Sequence, residues 1–361
     1  MKVLITGGGT GGHLFPALAV AEAFRERDPE TQIVFVGSRS GLEASLVARQ
    51  GYELKAIEVA AWKGKGVGGK LGSLLAIPKS LWQSWRLLRS VQPGLVLGVG
   101  GYASGPVVLT AWAMGFRTAI HEQNSFPGLS NRILGRFVNR VFTSFEDSGD
   151  HFPRGKTALT GNPVRRELQR ERGASQSKGE KEFTLFIFGG SQGAHRLNQA
   201  MEESLPHLGD LRGKMRIIHQ TGNLDYDHVR AFYKKEGVAA EVHRFIHDMG
   251  QAYRAADLIL CRAGATTLFE LMAMGKAAIL VPYPYAANDH QTLNANALVN
   301  AGAALMVANA DLNGEVLSRL VRELKEDPDR RKRMGERATA LAQPGAAEKI
   351  VDLCYRMVTN E

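Results

Sequence analysis

The feature that most constrains this chain is a glycine-rich junction that occurs twice. Ile5–His13 reads ITGGGTGGH and Ile187–His195 reads IFGGSQGAH, and the two align without a gap at an offset of 182 residues. Each follows an apolar run of strand length and precedes a helical pattern. Glycine permits the tight turn and lets backbone N–H groups approach an anion at the positive end of the next helix, so a phosphate or pyrophosphate is the natural guest. A chain of 361 residues that uses this device twice reads as α/β, with two Rossmann-like domains whose parallel sheets face a central cleft.

The rest of the chain carries the same alternation. Val3–Thr6, Ile33–Val36, Leu95–Val99, Thr118–His121 and Val141–Thr143 are strand-like in the first half. Phe183–Phe188, Arg216–His219, Leu258–Cys261 and Ala278–Pro282 are strand-like in the second. Between them, Arg165–Glu182 (RRELQRERGASQSKGEKE) is charged and nearly devoid of apolar residues, as a linker would be. The expected division is an N-terminal domain over 1–163, a C-terminal domain over 164–343, and a final helix over 344–361 that can pack back on the first domain.

Composition excludes several classes. A hydrophobic share of 44% is that of a folded globular chain, not a disordered or collagen-like one. The two cysteines, Cys261 and Cys354, match no metal or redox spacing and argue for a reducing compartment. Met1-Lys2 leads straight into a short apolar run and the glycines, without the features of a secretory signal, so export is not expected. Ser90–Phe116 carries no charge and is long enough to cross a bilayer, but Pro93, Pro106 and six glycines break it into strand, loop and helix. The net charge of +9 is concentrated: residues 55–140 hold eleven bases against two acids, Glu58 and Glu122, which points to an anionic partner for that stretch.

Gly7, Gly9 and Gly12 also spell GxGxxG, the dinucleotide fingerprint. That pattern wants an acid closing the second strand, whereas this strand ends Val36-Gly37-Ser38-Arg39, so an NADP enzyme using Arg39 is the form such a reading takes. Three further loops repeat the strand–glycine–helix theme: Gly100–Gly105, Gly189–Gly193 and Arg262–Thr267. Four anion-competent loops exceed what one dinucleotide needs and suit two phosphate-bearing ligands. A non-catalytic basic scaffold at a membrane is the third reading of the charge. Asp225-Tyr226-Asp227 is a DxD, read either as a metal-binding pair or as acids at a helix start. The ten histidines show no zinc spacing. Neither a metal nor a cofactor is expected.

Seven segments, GGGTGGHLFPALAVA, GVGGYASGP, HEQNSFPGLSN, TGNPVR, FGGSQGAHRLN, HQTG and RAGATTLFE, closely resemble the MurG family, N-acetylglucosaminyltransferases of peptidoglycan synthesis. They run in order over most of the chain. The resemblance implies a GT-B fold and transfer of GlcNAc from UDP-GlcNAc to the C4 hydroxyl of undecaprenyl-pyrophosphoryl-MurNAc-pentapeptide (lipid I). The product is lipid II, formed with inversion at the anomeric carbon.

Several roles have a physical rationale beside the family one. The loop at Ala265, Thr266 and Thr267 opens a helix, where unpaired N–H groups and the dipole favour a diphosphate. Ser191 can add a hydroxyl donor, and Arg262 or Arg165 a charge, to stabilise the departing UDP. The family implies nucleotide-sugar binding at Ser191, Arg165 and the run from Ala265 through Leu268 and Phe269 to Glu270. Glu270 reads two ways, as the second half of a Thr267-x-x-Glu270 capping box or as the family's acceptor of the ribose hydroxyls. Ile246 matches a position whose backbone recognises uracil, and otherwise reads as core. Gln291 matches a glutamine that bonds GlcNAc hydroxyls. The acceptor hydroxyl must lose a proton, for which His13 is the candidate base, with Glu122 a second candidate and Asn124 a positioning group. Thr10, Gly11 and Gly12, with Gly101, Tyr102 and Ser104, are read as the grip on the acceptor and its pyrophosphate.

Residues 62–89 mix Lys63, Lys65, Lys70, Lys79, Arg86 and Arg89 with Trp62, Leu74, Leu75, Ile77, Leu81, Trp82 and Trp85. This reads as an amphipathic helix for an anionic leaflet, or as a core helix with a solvated basic face. A lipid-linked acceptor favours the first and places the chain peripherally on the cytoplasmic face of the inner membrane. Other cell-wall synthesis proteins then count as partners, whereas nucleic acid does not, because no binding module accompanies the charge.

Overall fold

In the computed structural model, residues 1–38, 42–58, 67–170, 182–211 and 213–359 are described, side chains excepted at 42, 43, 45, 67–76, 169 and 170. Two compact units emerge, Met1–Arg165 with Gly345–Glu361, and Arg166–Pro344. Of the expected linker, Arg166–Arg170 forms a short helix with Leu168 buried, and residues 171–181 lie outside the described residues.

The first unit is built on a seven-stranded sheet: β1 (Lys2–Thr6), β2 (Gln32–Gly37), β3 (Glu53–Ala56), β4 (Leu95–Gly98), β5 (Arg117–Glu122), β6 (Arg140–Thr143) and β7 (Thr157–Leu159). The spatial order is β3-β2-β1-β4-β5-β6-β7, with every neighbouring pair parallel. Alternate residues of the central strands feed two separate cores. Val3, Ile5, Phe35 and Leu97 pack with Leu14, Val20 and Phe24 of the Gly11–Arg27 helix. Leu4, Val34, Val96 and Ile120 pack on the other face with Leu88, Val107 and Val108. Because both faces are covered, these strands are continuous apolar runs.

The Ala346–Thr359 helix belongs to this unit, with Ile350, Val351 and Cys354 buried in the same cluster as Val20 and Phe24. Tyr355 reaches Thr31 (3.1 Å), and Lys349 donates to the Leu159 carbonyl (2.7 Å). Truncating Ile350 to alanine would leave a cavity worth about 2–5 kcal/mol.

The second unit carries six parallel strands: β8 (Phe183–Phe188), β9 (Met215–Gln220), β10 (Ala240–His243), β11 (Leu258–Cys261), β12 (Ala278–Leu280) and β13 (Ala304–Met306). Their order is β10-β9-β8-β11-β12-β13. In both sheets the strand before the glycine junction, β1 or β8, sits where the chain order reverses, the position at which doubly wound sheets bind ligands beyond their strand ends. No helix among the described residues is long and apolar enough to cross a membrane. Ser90–Phe116 is strand, loop and helix, with β4 followed by the Ser104–Ala113 helix.

Candidate functional site

In the first unit, the loops after β1 and β4 lie backbone against backbone. Gly8 N donates to Gly100 O (3.3 Å), and Gly101 sits at φ +85°, where an added Cβ would overlap Gly8 O. Only glycine at 101 permits this approach. The Gly11–Arg27 helix then begins, with Thr10 at its N-cap making no side-chain cap bond and no acid in its first turn. The Ser104–Ala113 helix likewise opens without an acid, and its buried Ser104 hydroxyl has no hydrogen-bond partner among the described residues. Tyr102 is exposed beside it. Thr10, Gly11, Gly12, Gly101, Tyr102 and Ser104 are thus gathered around two adjoining helix starts that favour an anion.

His13 stands at the same junction, half-buried, its ring against the space that Gly100 leaves by lacking a side chain. Its Nδ1 is 3.1 Å from Gln123 Oε1, and burial pulls its pKa below the usual histidine value. Glu122 is buried and committed: Oε1 accepts from Asn124 N (3.0 Å) and Asn124 Nδ2 (3.1 Å). Its Oε2 accepts from Gly128 N (3.1 Å) and Asn131 Nδ2 (2.8 Å). A substrate hydroxyl would have to displace one of these donors, and the carboxylate ties the end of β5 to the 124–128 loop and the Leu129–Leu134 helix. Burial raises its pKa. Arg165, also in this unit, lies over the Phe15 ring at 4.3 Å.

In the second unit the loops after β8 and β9 meet in the same manner. Gly193, at φ +78°, has no room for a Cβ beside Thr221 O. Gln220 ties the pieces together, donating to Gly190 O (2.9 Å) and accepting from Ile246 N (2.7 Å). Ile246 is therefore a buried residue whose own amide is taken by Gln220. Ser191 lies partly exposed in the loop between Gly190 and Gly193.

The Ala265–Met274 helix starts from Gly264, has no acid in its first turn, and ends at Gly275 in the left-handed region. Its opening amides belong to Ala265, Thr266 and Thr267; Leu268 N is already bonded to Gly264 O, and the Leu268 and Phe269 side chains are core. Only the main chain of those two residues can therefore belong to a site. The capping-box reading of Glu270 fails, because Thr267 is inside the helix rather than at its N-cap. Glu270 is buried and accepts from the Tyr253 hydroxyl (2.9 Å). Arg262 donates to Val281 O (3.1 Å) and Pro282 O (3.0 Å); burial lowers its pKa to about 10, which leaves it charged at neutral pH. Gln291 Oε1 accepts from Tyr283 N (2.9 Å), tying that glutamine to the same 281–283 segment.

The DxD pair does not converge. Asp225 accepts from Asn198 Nδ2 (2.7 Å) and lies 3.0 Å from His195 Nδ1, while Asp227 pairs with Arg244 (3.0 Å). Asp225 does occupy the N-cap position of the Tyr226–Lys235 helix, but its side chain makes no cap bond. Among the described residues no group of three or more potential ligands could hold a metal.

Along the Val67–Val91 helix apolar residues stand on both the buried and the exposed faces. Ser80, Ser84, Leu88 and Val91 are buried, while Ile77, Trp82 and Trp85 are exposed. Arg86 lies over Trp82 (5.7 Å) and Arg89 over Trp85 (5.1 Å). Trp62, Lys63 and Lys65, like Arg39 of the NADP reading, lie outside the described residues, and nothing is described of the Lys70, Leu74 and Leu75 side chains.

Comparison with known proteins identifies the frame. The glycosyltransferase family 28 N-terminal domain matches residues 3–143 and the family 28 C-terminal domain matches residues 184–350. The UDP-N-acetylglucosamine–N-acetylmuramyl-(pentapeptide) pyrophosphoryl-undecaprenol N-acetylglucosamine transferase of Anaeromyxobacter dehalogenans is 50% identical over 99% of this chain and 93% of its own length. The chain belongs to glycosyltransferase family 28 and to its MurG branch. The Myxococcus xanthus transferase of the same name is 49% identical, covering 100% of this chain and 94% of its own. The crystal structure of Acinetobacter baumannii MurG superposes with a TM-score of 0.77 at 32% identity, over 98% of this chain and 99% of that one.

Membership decides between the readings left open above. The family 28 chain is a GT-B glycosyltransferase, neither an NADP oxidoreductase nor a scaffold without activity. Sequence reasoning passed over four residues that the structure ties to the candidate groups. His121 stands near the end of the apolar strand β5 and Gln123 directly after it, within HEQNSFPGLSN, which was a usable signal. Gln220 closes β9 in HQTG and also stood in view, whereas Tyr253 carried no signal.

Proposed function

We propose that the chain transfers GlcNAc from UDP-GlcNAc to the C4 hydroxyl of lipid I, giving lipid II and UDP. The observation that carries this reading is the 50% identity over nearly the full length to a transferase of that name. The second unit is the donor side. The amides of Ala265, Thr266 and Thr267, with Ser191 and Arg262, face the negative charge that grows on UDP as the sugar C1–O bond breaks. Glu270 takes the ribose hydroxyls, Gln291 the sugar hydroxyls, and the segment at Ile246 the uracil. The first unit is the acceptor side, where the junctions at Thr10–Gly12 and Gly101–Ser104 hold the pyrophosphate and Asn124 positions the sugar; Arg165 adds charge for the nucleotide-sugar.

His13 acts as the base. Its neutral imidazole takes the C4 hydroxyl proton as O4 attacks C1 from the face opposite the departing diphosphate, which inverts that carbon. The lowered pKa supports this, because the ring stays unprotonated at neutral pH. No step calls for a metal.

The exposed Ile77, Trp82 and Trp85 with Arg86 and Arg89 support peripheral attachment to an anionic cytoplasmic leaflet, where the acceptor's reactive sugar lies. Incubation with labelled UDP-GlcNAc and a short-chain lipid I analogue tests the activity. The expected product is the disaccharide lipid with one UDP released per transfer, and hydrolysis of UDP-GlcNAc without transfer refutes it. Sedimentation with anionic liposomes tests the surface: Trp82→Ala/Trp85→Ala should weaken binding, and unchanged binding removes the patch.

A further inference from the structure

We infer that Gln123 is a positioning residue that holds His13 in its Nδ1–H tautomer and so leaves Nε2 as the basic nitrogen. The inference rests on the reading of His13 as the base and deepens it by naming the reacting atom. The argument follows hydrogens from groups that cannot turn. The Gln123 amide nitrogen lies 2.9 Å from the Val99 carbonyl, which can only accept. That fixes the amide: its NH2 end faces Val99 O and, at 3.1 Å, His121 Nδ1, and its oxygen faces His13 Nδ1 at 3.1 Å. Turning the amide over would set its oxygen against the Val99 oxygen in a buried site, with no proton between them.

The oxygen of Gln123 has no hydrogen to give, so the hydrogen of that bond belongs to His13 Nδ1. Val99 O, the backbone group that also bonds the His13 ring, is an acceptor as well. Neutral imidazole carries one N–H, and Nε2 is left with its lone pair. The residue is only half-buried, so a hydroxyl can approach it.

The chain behind Gln123 is determined in the same way. His121 Nδ1 accepts from Gln123, so His121 Nε2 bears its hydrogen and donates to Gly161 O (3.2 Å). The Ser144 hydroxyl, 3.2 Å from the same nitrogen, donates its own hydrogen to Glu122 O (2.9 Å). Three backbone carbonyls thus anchor the arrangement, and none can reverse its role. Burial holds the pKa of His121 at about 4, so this ring stays neutral and sends no second proton towards Gln123.

The decisive measurement needs no variant. Long-range 15N–1H correlation spectra of the full-length protein near pH 7.5 separate the two neutral tautomers of an imidazole, and the His13 signals are assigned by their loss in His13→Gln. The expected pattern places the hydrogen on Nδ1; a His13 signal with the hydrogen on Nε2 overturns the inference. Gln123→Met then keeps the length of the side chain and removes the acceptor. Loss of a partner that orients a reacting group typically lowers activity about 10–100-fold, and here it should fall on kcat with both KM values little changed. Gln123→Glu restores an acceptor towards Nδ1 and should recover part of that kcat; equal losses in the two variants mean a structural role and overturn the inference. Failure of the parent reading looks different: the Nδ1–H tautomer is observed, yet His13→Ala turns over normally.

Discussion

The two glycine junctions share a sequence pattern and lean opposite ways. After β1 the loop packs on the loop of β4, through Gly8, Gly100 and Gly101. After β8 the corresponding loop packs on that of β9, the counterpart of β2, through Gly193, Thr221 and Gly222. The histidines that close the two motifs diverge further. His13 is half-buried and faces a neutral amide, whereas His195 is 78% exposed and lies beside the Asp225 carboxylate. A repeated motif therefore fixes a tight glycine turn between strand and helix, while the chemistry of its last residue is set by what the neighbouring strands bring up to it.

The largest expected effect separates the two histidines. His13→Ala removes the proposed general base and should lower kcat by roughly 10²–10⁴-fold. His195→Ala removes an exposed pair of a kind that contributes little, and should leave kcat within a few-fold of the parent. Side-by-side turnover measurements with saturating substrates decide it, and similar losses in both would erase the distinction drawn between the junctions.

Beneath the divergent surfaces, each unit buries one neutral histidine: His121 in the first, with a pKa near 4, and His219 in the second, near 3. His219 is bonded to Tyr233 and Asn198, both at 2.9 Å. Unfolded histidine takes up its proton near pH 6.5, and the folded rings do so only far below. Their contribution is therefore intact above pH 6.5 and is lost as the pH falls from there through those two values. Glu122 runs the other way, because its pKa is raised in the fold, but it is one group against two. Urea unfolding should show a loss of a few kcal/mol between pH 7 and pH 4.5. Stability that is flat or rising over that interval would mean that these rings are not buried neutral.

The sheets show which strands a sequence can declare. The nine strands expected from apolar runs all lie within the sheets, and the four not expected, Glu53–Ala56, Thr157–Leu159, Ala240–His243 and Ala304–Met306, are the four edge strands. An edge strand is only partly covered, so Ala240–His243 alternates between half-buried and exposed, whereas Leu258–Cys261 is buried throughout. The candidate site divides along a similar line. Backbone cradles were legible because glycine spacing is local. The groups that hold the functional side chains were not, since Gln123 lies 110 residues from His13 and only the fold makes them neighbours. The capping-box alternative at Thr267 turned on a helix boundary: Gly264 already takes the N-cap, and the helix is under way three residues before the threonine-to-glutamate pattern would start it.

Next in size come the glycines at which the loops touch. An alanine at 101 or at 193 adds a Cβ to a left-handed residue directly against a carbonyl oxygen, a strain of about 1–3 kcal/mol. The opposite leanings predict opposite readouts. Gly101→Ala should raise KM for the lipid acceptor and leave that for UDP-GlcNAc, and Gly193→Ala should do the reverse. A rise in both KM values from either variant would mean that the loops do not serve separate ligands.

The smallest effect contrasts two buried carboxylates. Glu122 is held by donors no more than nine residues along the chain, whereas Glu270 is reached by Tyr253, seventeen residues away on another helix. Tyr253→Phe keeps the ring that packs edge-on against Phe186 (5.8 Å) and Phe188 (6.0 Å) and removes only the hydroxyl. A single hydrogen bond of this kind contributes about 0.5–1.5 kcal/mol, so KM for UDP-GlcNAc should rise roughly 2- to 12-fold. If the hydroxyl aims Glu270 at the ribose, the preference for UDP over its 2′-deoxy analogue should narrow by a similar factor, with acceptor KM unmoved. A preference that holds while stability falls would place Tyr253 in the core alone and leave Glu270 to be oriented by other groups.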